Sequence, residues 1–134
     1  MKNSTRAKSN QQEKRIAKAM GGKQVIGSGS TPFLKGDVVA DKLFIEAKTK
    51  MEPSKSISVK KEWLEKAKAQ AIATRKLDYA VAISFGDNKD YYIIEDTFME
   101  ELYKFKEVCL RIESFMYTFG EDSNIMEIIK EVFD

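Results

Sequence analysis

Apolar positions divide the chain into stretches with the period of a helix and stretches with the period of a strand. Ile16, Ala17 and Met20 share one helical stripe and predict a first helix over 9–20. Ser9 fits its N-cap, Gln12 fits a capping-box partner three residues on, and Gly21-Gly22 ends it. Residues 1–8 are polar and basic and read as a loose arm. A short strand is expected over 25–31, running into a Gly/Ser turn, followed by a hairpin with strands at 37–40 and 43–49. A loop containing Pro53 leads to a helix capped by Ser56 or Ser58 and reaching about Lys76. An apolar strand over 79–85, a turn at Gly86-Asp87-Asn88 and a strand over 91–94 follow. Beyond them, Phe98, Leu102, Phe105, Cys109, Ile112, Met116 and Phe119 alternate spacings of four and three, a heptad-like stripe closed by Gly120. A last helix carries Ile125, Ile128, Ile129 and Val132 on one side. The order α-β-β-β-α-β-β-α-α predicts one α/β domain with a mixed sheet flanked by helices, a core over 9–95 and a helical hairpin over 96–134.

Composition narrows the chemistry. A chain of 134 residues suffices for one hydrophobic core. There is no histidine, which excludes Ser-His-Asp triads, Cys-His nucleophiles and His-ligated zinc. Acid–base work is left to carboxylates, lysine or metal-bound water. Cys109 is the single cysteine and cannot form an internal disulfide, so a reducing, cytoplasmic setting is expected. The N-terminus lacks the apolar stretch of a secretory signal, and no run of about 18 apolar residues predicts a membrane span.

The net charge of +2 conceals an uneven distribution. Residues 1–24 hold seven basic and one acidic side chain, and residues 48–76 hold nine and three. Residues 77–134 reverse this, with five basic and fourteen acidic. A polyanion contacting the first half would account for the pattern, and solvated helix faces would account for it equally. On the first reading Arg6, Lys8, Lys35, Lys55, Lys60 and Lys61 are the candidate DNA-binding residues.

The segment 36–48 carries the candidate chemistry. Alternate residues of a strand share a face, so Phe44, Glu46 and Lys48 point one way while Leu43, Ile45 and Ala47 point the other. A hairpin closed symmetrically about Asp41-Lys42 sets Val38 opposite Ile45, Val39 opposite Phe44 and Asp37 opposite Glu46. Facing Cβ atoms lie about 4.5–5.5 Å apart, and like charges so placed destabilise the pair unless a cation joins them. Glu13 falls on the inward stripe of the first helix, an expensive place for a carboxylate without a partner. Gln70 shares a helix face with Trp63, Ala67 and Thr74. Inward carboxylates with a lysine and no histidine suit Mg²⁺ or Mn²⁺. Taken singly, each feature has a plain structural reading: Glu-x-Lys is usually a surface pair worth about 0–1 kcal/mol, and Gly27-Ser28-Gly29-Ser30 is a turn. Their joint occurrence in this order is what points to a site.

That order, Glu13, then Gly27-Ser28-Gly29-Ser30, then Gly36-Asp37, then Glu46-Ala47-Lys48, resembles the PD-(D/E)XK nuclease superfamily, and within it the small archaeal-type Holliday junction resolvases and their phage-encoded relatives. The resemblance covers about residues 9–85. It implies a restriction-endonuclease-like core, Asp37 and Glu46 as metal ligands assisted by Glu13, Lys48 as the catalytic lysine, and Ser28 or Ser30 near the scissile phosphate. Gly36 stands where the literal motif has proline, and the C-terminal helical hairpin has no counterpart in those resolvases. The function so implied is Mg²⁺-dependent cleavage of branched DNA such as a four-way junction. Symmetric cutting of two strands needs two active sites and hence a homodimer, and a phage-encoded protein acting in a bacterial host fits the same reading. The alternatives are a nuclease of flaps, ends or nicks, a non-cleaving DNA-binding protein of the same fold, and a protein-interaction module working through its acidic helical tail.

Overall fold

The computed structural model describes residues 2–25, 37–119 and 123–133. The elements run α1 (Lys2–Met20), β1 (Lys23–Gln24), β2 (Asp37–Val39), β3 (Leu43–Thr49), α2 (Lys61–Ala73), β4 (Asp78–Ser84), β5 (Tyr91–Ile93), α3 (Asp96–Phe119) and α4 (Ser123–Phe133). The chain divides into two compact units, residues 1–94 and 95–134. No helix among the described residues is long and apolar enough to cross a membrane.

The first unit is built on a five-stranded sheet in the order β1-β2-β3-β4-β5. The β3–β4 pair is parallel and the other three are antiparallel. This mixed sheet with its flanking helices is the α/β class expected. Its hairpin closes as the symmetric register requires: the Ala40 N–H donates to the Leu43 carbonyl at 2.9 Å, and Asp41-Lys42 forms the tip. Parallel pairing of β3 with β4 forces a crossover, which α2 provides.

The alternation within β3 and β4 separates two apolar layers. Val38, Ile45, Ala80 and Ala82 pack with Ile16 of α1 on one face. Phe44, Val81 and Ile83 pack with Ala67 and Ala71 of α2 on the other. Asp37, Glu46 and Lys48 belong by alternation to the α2 face.

Three local expectations are corrected. The first helix begins at Lys2, not Ser9, so Ser9 lies inside it and the basic residues that follow Met1 are helical rather than a loose arm. Gln12 therefore makes no capping box; its side chain is buried instead. Neither Ser56 nor Ser58 caps α2. Its N-cap is Lys60, in extended conformation without a side-chain cap, and Ser54 engages Ser56 in a local turn ahead of it. At its other end α2 stops at Ala73, short of Lys76, in a Schellman turn: the Arg75 and Lys76 N–H groups donate to Ile72 and Ala71, and Arg75 holds a φ of 58°. The expected strand over 25–31 begins earlier, as β1 at Lys23–Gln24, and residues 26–36 lie outside the described residues.

In the second unit α3 packs against α4. Cys109 and Ile129 are buried, while Leu102, Phe105 and Ile112 of the heptad-like stripe are exposed.

Candidate active site

The site assembles on β2, β3 and α2. Asp37 lies directly opposite Glu46 in the antiparallel register. Both carboxylates are almost fully withdrawn from solvent, Asp37 at 3% exposure and Glu46 at 4%. Asp37 Oδ2 and Glu46 Oε2 are buried and accept no hydrogen bond among the described residues. Orphaned carboxylate oxygens at this depth are costly. Burial first and the charge of Glu46 second push the Asp37 pKa up from its ordinary 3.8 to about 7, while Lys66 and Lys48 pull it down.

The other oxygen of Glu46 faces cations. Lys48 Nζ lies 3.4 Å from Oε1, and Lys66 Nζ lies 3.9 Å from the same atom. The Lys48 ammonium also stands over the Trp63 ring, 5.1 Å from its centroid. Trp63 and Lys66 are one turn apart on α2, so a single helix face supplies the ring beneath one ammonium and carries the other.

On the α1 side, Gln12 is 1% exposed and its Nε2 donates to the Lys48 carbonyl at 2.9 Å. Helix α1 is thereby latched to the strand position that bears the candidate lysine. Glu13 is buried beside it and its charge raises the Asp37 pKa, as the last of the causes acting there. Among the described residues no three carboxylate or cysteine side chains converge tightly enough to form a metal cluster. The pair opposed across the hairpin is Asp37 and Glu46, with Glu13 acting on it through space.

The sequence singled out Asp37, Glu46 and Lys48, and the fold brings all three together. Gln70 is half-buried on α2, where its backbone carbonyl accepts the Thr74 hydroxyl at 2.7 Å. Ser28, Ser30 and Lys35 lie outside the described residues. Arg6, Lys55, Lys60 and Lys61 are exposed, with Lys61 4.0 Å from Glu65. Lys8 is half-buried and donates to the Gly86 carbonyl at 3.5 Å. Sequence reasoning missed Gln12, Trp63 and Lys66 as parts of the site. Helical spacing from Ala67 and Gln70 could have flagged Trp63 and Lys66, but a lysine on an amphipathic helix reads as a solvated residue.

The donor set suits a small divalent cation. Mg²⁺ is commonly held by one or two carboxylates, with water and substrate phosphate completing its shell. Two facing carboxylates with unused buried oxygens meet that requirement, and the absence of histidine from the chain argues for a hard ion. No protein-family model matches the chain, and neither does any curated protein or solved structure.

Proposed function

We propose that the chain is a metal-dependent endodeoxyribonuclease of PD-(D/E)XK type that hydrolyses phosphodiester bonds in branched DNA. The observation that carries this reading is the Asp37–Glu46 pair, buried, mutually repelling and with an orphaned oxygen on each side chain, beside an ammonium that follows two residues later on the same strand face. Asp37 and Glu46 would hold a Mg²⁺ or Mn²⁺, which supplies Lewis-acid polarisation of a phosphate and a water of lowered pKa. Lys48, in contact with Trp63 and Glu46, would orient the attacking water and neutralise charge gathering on the phosphate oxygens. Burial of both carboxylates keeps bulk water from screening these interactions.

A branched substrate suits a small domain with dispersed basic residues. Shape and phosphates are what such a surface can read, through Arg6, Lys8, Lys35, Lys55, Lys60 and Lys61. The same chemistry would serve flaps, ends or nicks, so the substrate is the part to be measured. The deciding experiment compares metal-dependent cleavage of a labelled four-way junction with cleavage of linear duplex. We expect the junction to be cut in preference. Asp37→Asn, Glu46→Gln and Lys48→Ala should each lower the rate by about a hundredfold or more while the variants stay folded. Near-normal cleavage by any one of them, free of wild-type protein, would overturn the assignment.

A further inference from the structure

We propose that Lys66 is a second working lysine of this site, standing in for the divalent cation while the site is metal-free and engaging the phosphodiester once metal is bound. The inference rests on the nuclease reading above. Its first support is position. Lys66 Nζ reaches the same Glu46 oxygen as Lys48 Nζ, from a different element and at the outer edge of ion-pair range. Its side chain is 37% exposed, so the ammonium lies between buried carboxylate and solvent, where a bound strand would pass. Its second support is origin: Lys66 stands on α2 one turn from Trp63, whose ring lies under the Lys48 ammonium, so one helix face addresses both lysines.

Charge balance gives the two positions of Lys66 their logic. Lys48 and Lys66 face the opposed Asp37–Glu46 pair, and buried Glu13 adds a third carboxylate acting on Asp37. The two ammoniums offset most of that negative charge, which lets the carboxylates stay buried without an ion. A divalent cation held by these carboxylates would repel both ammoniums. A phosphodiester and an attacking hydroxide would bring the negative charge that a displaced ammonium can meet. In that step the hydroxide oxygen forms a bond to phosphorus, the bond to the leaving oxygen breaks, and the leaving oxygen takes a proton from water. A second ammonium would offset charge that builds on the phosphoryl oxygens beyond what Lys48 alone can meet. The long side chain of Lys66 can swing from the carboxylate to a non-bridging oxygen, whereas Lys48 is held over the Trp63 ring.

The test uses the full chain and the variants Lys66→Met and Lys66→Arg, each checked for folding by circular dichroism. Mn²⁺ binding is measured by calorimetry without DNA, and single-turnover cleavage of a four-way junction is measured at saturating Mn²⁺. Lys66→Met should bind Mn²⁺ about tenfold more tightly, because a competing cation has gone. It should also cleave about a hundredfold more slowly, and Lys66→Arg should recover part of that rate. A lysine with a merely structural role would not tighten metal binding when removed. Wild-type-like or weaker Mn²⁺ affinity in Lys66→Met overturns the proposal, as does an unaltered cleavage rate. If the wild-type chain neither binds Mn²⁺ nor cuts the junction, the nuclease reading fails and this inference fails with it. If the wild type does both and Lys66→Met matches it, only the role of Lys66 is lost.

Discussion

Asp37 concentrates the conflict between stability and chemistry in one side chain. Its pKa is raised from 3.8 to about 7, first by burial and then by Glu46. Between those values the folded protein holds a proton that the unfolded chain has released. The contribution of Asp37 to stability without metal is therefore greatest below about pH 4 and is lost as pH rises through 7. Asn at this position mimics the protonated acid and removes the dependence. In thermal melts without metal, Asp37→Asn should match wild type near pH 4 and exceed it near pH 8, by about 5 °C for each kcal/mol of repulsion relieved. A difference that does not grow with pH would show that the pair is not in conflict. The opposition itself was legible in the sequence, because a two-residue tip at Asp41-Lys42 leaves one symmetric register and that register sets Asp37 against Glu46. The surroundings of Glu46 were not legible. Lys66 meets it through a helix that crosses over to β4, and no local period encodes that distance.

At the scale of elements, α1 departs most from its sequence pattern. Local capping chemistry pointed to a start at Ser9, yet the helix runs from Lys2, and Gln12 is spent on β3 rather than on its own N-terminus. A capping-box pattern competes with any tertiary acceptor for the same amide, and here the Lys48 carbonyl takes it. The bond holds α1 to β3, so its removal leaves the half-buried Lys48 carbonyl without that donor. Gln12→Leu should cost about 1–3 kcal/mol in urea denaturation; an unchanged midpoint would show that the latch carries no load. Gly22 joins the same pair of elements more rigidly. A Cβ there would lie 2.4 Å from the Val39 carbonyl oxygen, so the turn after α1 can approach β2 only as glycine. The strands were more readable, since alternation over 43–49 and the apolar run over 79–85 correspond to β3 and β4 within a residue.

On the scale of the molecule, charge and apolar surface are segregated along the chain. The basic stretches fall within the unit over 1–94, and the unit over 95–134 carries eleven acidic and four basic residues. That second unit exposes Leu102, Phe105, Phe115, Ile128 and Val132. Exposed apolar side chains in such number are an interface signature, and an acidic surface repels DNA and leaves the helices for a protein partner. Under the proposed function, a second copy is the partner that symmetric cleavage of two strands would call for. Light scattering should therefore find a dimer at micromolar concentration, and Ile128→Glu/Val132→Glu should dissociate it. A folded wild-type monomer removes the idea, and an intact dimer in the variant moves the contact elsewhere. Heptad-like spacing was enough to read α3 from sequence, because periodicity dictates a helix. It was not enough to read what covers the stripe, because a helix needs only that something apolar does.

Trp63 has a further consequence. It is the only tryptophan in the chain, and its ring lies beneath the ammonium of Lys48. Indole emission responds to charge held close to the ring, so the intrinsic fluorescence of this protein is the fluorescence of its candidate active site. If an ion binds at the carboxylates, or a strand at the lysines as proposed, it would alter the field on that one indole with no background from another. The protein thus carries its own optical reporter, seated where the chemistry is proposed to occur, and each step of site assembly can be timed without attaching a label.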